Sequence, residues 1–126
     1  MKTVFLSLNG CPVVNVEVTG TSTSKFAMLM VDTGASYTSL SHQLLSDIGA
    51  ELSLEKTIIT SAAGIFETST SHIKSVRLNS LMIENIKVVA LTLPESSEID
   101  GVLGVDFFEN KKLNIDFKKH TIEVKA

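Results

Sequence analysis

The feature that most constrains this chain is the spacing of its apolar residues, which is two along most of its length. Val4, Leu6 and Leu8 share one face of a first segment, and Val14, Val16 and Val18 share one face of a second. The third, KFAMLMVD at residues 25–32, is a more continuously apolar run. Side chains of a strand point alternately to its two faces, so alternation marks a half-buried strand and an unbroken apolar run marks a central one. Between the second and third runs, TGTSTSK has the glycine, serine and threonine content of a hairpin loop. The opening of the chain therefore reads as strand, turn, strand, turn, strand.

A helical pattern interrupts this period at residues 41–50, SHQLLSDIGA. Ser41 suits an N-cap, Leu44, Leu45 and Ile48 form an apolar stripe, and Gly49 suits a C-terminal stop, which predicts one short helix. From Lys56 the strand pattern returns in TIIT, IFETST, HIKSVRLN and MIENIKVVALTL, with Asn79, Ser80, Glu84 and Asn85 as turn signals. The polar loop PESSEID follows. In GVLGVDFFEN, Asp106 and Glu109 stand at capping-box spacing for another short helix, and LNIDF and TIEVK, joined by KKH, end the chain. Strands outnumber helices, loops are short, and neither a repeat nor a low-complexity linker divides the sequence. The expectation is one all-β, barrel-like domain over residues 1–126.

Composition narrows the function classes. A chain of 126 residues, 44% of them hydrophobic, buries one core and not two. No stretch approaches the roughly 20 apolar residues of a membrane span, and MKTVFLSLNG lacks a long apolar signal region. A soluble, cytoplasmic protein without a membrane partner is expected. Net charge is −3. Lys111, Lys112, Lys118, Lys119 and Lys125 spread along the C-terminal hairpin as a solvated face, so no nucleic-acid partner is expected. The single cysteine, Cys11, forms no internal disulfide, which fits a reducing compartment. His42, His72 and His120 lie apart, without ligand spacing, so neither metal nor cofactor is expected.

The carboxylate that ends the apolar run raises the functional question. An ionised aspartate after a buried strand is costly unless hydrogen bonds meet it. In VDTGAS, residues 31–36, Gly34 permits close backbone approach, and Thr33 and Ser36 carry hydroxyls. Two readings are open: a turn in which Asp32 bonds its own backbone, or a loop that presents an acid for chemistry. Ser36 lacks the Gly-x-Ser-x-Gly surroundings of a serine nucleophile.

VDTGAS together with the later IDGVLGVDFF resembles the retropepsin-like aspartic proteases, the family of retroviral proteases and their bacterial and eukaryotic relatives. Asp32, Thr33 and Gly34 match the family's catalytic triplet, and Ala35 and Ser36 its continuation. Val102, Leu103 and Gly104 match the apolar-apolar-Gly strand that passes beside the catalytic loop. The resemblance implies an acid-protease β-barrel of a single lobe with one or two short helices. It also implies an aspartic endopeptidase whose water is activated by two aspartates. One copy of the triplet in one domain implies a homodimer, Asp32 coming from each subunit and the pair titrating in coupled steps. An extended peptide or protein is the implied substrate. A flap is implied at Ala62, Ala63, Gly64, Ile65 and Phe66, while Asp106 reads as a cap outside the site. The alternative is a catalytically inactive domain of the same fold that dimerises or binds peptide.

Overall fold

The computed structural model describes residues 1–61 and 64–126. Its elements are the strands β1 (Lys2–Val4), β2 (Leu6–Leu8), β3 (Cys11–Thr19), β4 (Ser24–Val31) and β5 (Ser39–Ser41), and then the helix α1 (His42–Asp47). β6 (Lys56–Ser61), β7 (Gly64–Leu78), β8 (Leu81–Leu91) and β9 (Gly101–Leu103) follow. A single 3₁₀ turn over Val105–Phe108 precedes β10 (Lys112–Asp116) and β11 (Thr121–Lys125).

The larger sheet runs β2-β3-β4-β9-β5-β8-β7-β6, and β3 also pairs with β7 through Glu17–Thr19. That extra pairing closes β3, β4, β9, β5, β8 and β7 into a ring, which is the expected barrel and leaves these strands no free edge along the closure. β9 is threaded parallel to β4, with Met30 opposite Val102 and Val31 opposite Leu103. A small second sheet, β1-β11-β10, gathers both ends of the chain.

The core follows the alternation of β3 and β4. Val14, Val16 and Val18 face inward from β3, and Ala27, Leu29 and Val31 from β4, against Leu40, Leu45, Ile48, Leu103 and Phe107. Helix α1 caps this core as its sequence implies: the Ser41 hydroxyl accepts from Leu44 N–H, Leu44 and Leu45 are buried, and Gly49 leaves the helix at φ +72.

Three local expectations differ. Val4 and Leu6 are 72% and 64% exposed while Phe5 between them is 5% exposed, so the buried face of the first segment is the opposite one. The chain changes sheets at Phe5, whose ring packs on His120 and Phe117. Glu84 and Asn85 form no turn: β8 runs through them, with Asn85 at φ +51 and the β7–β8 register kept on both sides. IFETST and HIKSVRLN belong to one fifteen-residue strand, β7.

Candidate active site

β4 delivers Asp32 to the mouth of the barrel. The last buried side chain is Val31, and the next residue is exposed. The backbone there is tied to β9, since Asp32 N–H donates to Leu103 O at 3.0 Å. The loop then folds back: Ala35 N–H donates to Asp32 O at 3.1 Å, and Ala35 O accepts from Val105 N–H at 2.9 Å. Gly34 N–H donates to Asp32 Oδ1 at 2.9 Å. Both readings of the aspartate thus share one geometry: it bonds its own turn, and that bond aims the carboxylate outward.

Glycine is required where β9 meets this loop. A Cβ on Gly101 would lie 2.1 Å from Ser39 O, and one on Gly104 would lie 2.6 Å from the carbonyl carbon of Tyr37 and 2.9 Å from Ala35 O. The apolar-apolar-Gly signature is therefore a packing rule. Leu103 fills the core, Val102 is half-buried, and Gly104 lets the next turn pass against the loop.

Beneath the loop lies a polar network that the sequence did not disclose. Thr38 is fully buried. Its hydroxyl donates to Asp106 Oδ1 at 2.8 Å and accepts from Gly104 N–H at 3.2 Å, while its N–H lies 3.0 and 2.9 Å from the two Asp106 oxygens. Asp106 also accepts from Phe107 N–H at 2.9 Å. Asp106 is not the N-cap that its spacing with Glu109 suggested. Gly104 occupies that position without a side-chain cap, and the Asp106 carboxylate instead clamps Thr38 across the fold. Thr38 and Asp106 are 68 residues apart, so no local pattern signalled this pairing.

Two depressions flank the loop. A cleft of about 280 Å³ runs between the Asp32 loop and β6, with Asp32, Gly34 and Tyr37 on one side and Ile58, Ile59 and Thr60 on the other. Ser36 lines it too, and also lines a second depression, of about 570 Å³, with Thr33, Val105, Phe108 and Leu113. Thr33 is exposed. A more open depression of about 710 Å³, lined by His72, Lys74 and Glu84, contains no residue of the triplet.

The expected flap is only partly placed. Ala62 and Ala63 lie outside the described residues. Gly64, Ile65 and Phe66 begin β7, with Phe66 opposite Ile59 and Ile65 opposite Thr60. These residues are exposed and do not line the cleft; its β6 wall is Ile58–Thr60, which the sequence reading had not singled out. Among the described residues, no three His, Cys, Asp or Glu side chains come together as a metal site would need. No described helix is long and apolar enough to cross a membrane.

A single-lobed β-barrel with an Asp-Thr-Gly loop braced by a parallel apolar-apolar-Gly strand defines the retropepsin-like fold. The chain resembles a retropepsin-like aspartic protease from Rickettsia conorii with a TM-score of 0.69 and 23% identity, over 99% of this chain and 89% of that one. It also resembles the EIAV protease, solved in complex with the inhibitor HBY-793, with a TM-score of 0.61 and 18% identity, over 85% of this chain and 93% of that one. No curated protein sequence matches it significantly. Residues 14–107 match the model of a family described as aspartyl protease, and the chain belongs to that family.

Proposed function

We propose that the protein is an aspartic endopeptidase whose active site forms between two copies of the chain, each supplying Asp32. The observation that carries this reading is the Asp32 carboxylate itself: exposed at the mouth of a cleft, and held by Gly34 N–H on a loop whose backbone is fixed from below.

In this reading a peptide lies extended in the cleft between the Asp32 loop and β6. Of the two carboxyl groups, one is ionised and takes a proton from water as the water oxygen bonds to the scissile carbonyl carbon. The protonated partner donates to the carbonyl oxygen, giving a tetrahedral diol. Proton transfer to the nitrogen then lets the C–N bond break, releasing an acid and an amine and restoring one shared proton. Two like charges at contact distance resist joint ionisation, so activity is highest where the pair holds one proton, at acid to neutral pH.

Asp32→Asn tests the reading. It replaces an exposed acid by an isostere and should leave folding intact, while cleavage of a mixed peptide library falls by about a thousandfold or more. Cleavage that survives Asp32→Asn would refute the assignment. A wild type that forms dimers yet cleaves nothing between roughly pH 4 and 7 would favour the peptide-binding domain without catalysis.

A further inference from the structure

The open depression of about 710 Å³ leaves its positive charges unanswered. His72 and Lys74 line it from β7, both exposed and two residues apart, so their side chains leave one face of the strand. Lys87 of β8 stands directly opposite His72, and residues opposite each other in a pair share a face. Lys87, His72 and Lys74 thus form a short track across the β7–β8 hairpin. Among the described residues the ion pairs are Lys25–Asp47, Arg77–Glu17 and Lys125–Glu123, and none of them includes a member of the track. Glu84 lines the same depression, and no ion pair joins it to Lys74.

One end of the track touches the wall of the Asp32 cleft. The Lys87 ammonium lies over the Tyr37 ring, 5.4 Å from its centre, and Tyr37 lines the cleft with Asp32 and Ile58. An aromatic face attracts a cation without neutralising it, so the ammonium keeps N–H groups to donate to a carboxylate. The spacing of the charges is also informative. Lys87 and Lys74 are diagonal neighbours across the strand pair, at a backbone separation of about 7–8 Å. An extended peptide turns every second side chain to the same side, roughly 6.4–6.8 Å apart. Two acidic side chains at alternate positions therefore match the two lysines, and the imidazole of His72 offers a hydrogen bond between them.

We infer that Lys87, His72 and Lys74 form a secondary binding site, outside the cleft, for an acidic stretch of the peptide substrate with Asp or Glu at two alternate positions. The inference rests on the protease reading above and names the class of substrate that the site selects. A peptide that leaves the cleft past Tyr37 meets Lys87 first and Lys74 next. A basic stretch would meet two unpaired ammonium groups and be repelled, a neutral one would gain nothing from them, and an acidic one gains two charge-assisted hydrogen bonds. Glu84, on the same depression as Lys74, opposes a longer run of acids and so limits the match to two.

The test measures binding apart from cleavage. Full-length Asp32→Asn protein is titrated, by fluorescence anisotropy, into labelled peptides with an apolar centre and a Glu-x-Glu step towards one end or the other, and into the same peptides carrying Gln-x-Gln. At low salt one Glu-x-Glu peptide should bind roughly tenfold more tightly than its Gln-x-Gln counterpart, and added salt should erode the difference. Lys74→Glu combined with Lys87→Gln, which keeps a side-chain stem over Tyr37, should abolish the preference, whereas Lys118→Glu on the C-terminal hairpin should retain it. In the wild-type protein the same preference should appear in KM more than in kcat. Equal binding of Glu and Gln peptides would overturn the inference, and if the wild type still cleaves them the protease reading stands. A preference that survives the double substitution would also overturn it, by placing the acidic stretch elsewhere. A preference lost with the two lysines, in a protein whose wild type cleaves nothing, would support the secondary site and refute the protease.

Discussion

Thr38→Val removes one oxygen and nothing else of consequence in volume, from a fully buried position. Two bonds go with it. The bond from the hydroxyl to the Asp106 carboxylate is of the charged kind, which contributes about 1.5–3 kcal/mol. The second loss orphans Gly104 N–H in a buried site, at about 1–3 kcal/mol. The two are not independent, since both pass through one hydroxyl, and Asp106 keeps the N–H groups of Thr38 and Phe107 as donors. A total near 3 kcal/mol follows, and for a domain of this size that lowers Tm by about 10 °C. Thr38→Ser is the control: it keeps the hydroxyl and loses one buried methyl, about 1 kcal/mol. Thermal unfolding followed by circular dichroism, at one fixed protein concentration so that association does not shift the midpoint, reads both variants. If valine is tolerated as well as serine, the polar network does not hold the loop and the reasoning fails.

Other perturbations address the same frame. Gly104→Ala would bring a methyl to 2.6 Å from the Tyr37 carbonyl carbon and should lower stability by about 2–3 kcal/mol, seen as a fall in Tm; an unchanged Tm would mean that the β9 end moves freely. Asn85→Val should cost about 1–2 kcal/mol, because a β-branched residue resists φ +51, whereas Asn85→Gly should be near neutral by urea unfolding. Hydrogen bonds from Lys119 N–H, and then Lys118 N–H, hold the Asp116 carboxyl below its ordinary 3.8. Its contribution to stability is thus present above pH 3.8 and lost as pH falls through the lowered value, and a carboxyl ¹³C titration should find its midpoint below 3.8. The Lys25 bond, with a further bond from Gln43, lowers Asp47 in the same direction, and the same titration reads it.

What the sequence disclosed were features whose cause is local or whose pattern is long. The alternation of β3 located one face of the core because Val14, Val16 and Val18 are all buried at spacing two, whereas β4, read as continuously apolar, buries only Ala27, Leu29 and Val31 and leaves Phe26 exposed. Ser41 and Gly49 located α1 because caps act on their nearest neighbours. The Asp32 loop and the Val102-Leu103-Gly104 strand were legible as a pair, and the structure supplies the reason: Asp32 N–H bonds Leu103 O. A period of two does not say which face is buried, so Val4 and Leu6 were assigned inward when Phe5 is the residue in the core. Asp106 was misread because its partner, Thr38, is 68 residues away. Tyr37 and Ile58–Thr60 went unseen because a cleft wall is defined by what the fold sets opposite it.

One chain by itself supplies backbone support for the Asp32 loop. The Asp32 main chain is held by Leu103, Ala35 by Val105, and the turn at Gly104 by Thr38 and Asp106. Holding that loop is therefore part of folding the chain. Changes in the Thr38–Asp106 network should therefore move Tm at every protein concentration. A Thr38→Val protein whose Tm deficit vanishes as its concentration rises would break that reasoning and place the support of the loop in association rather than in the fold.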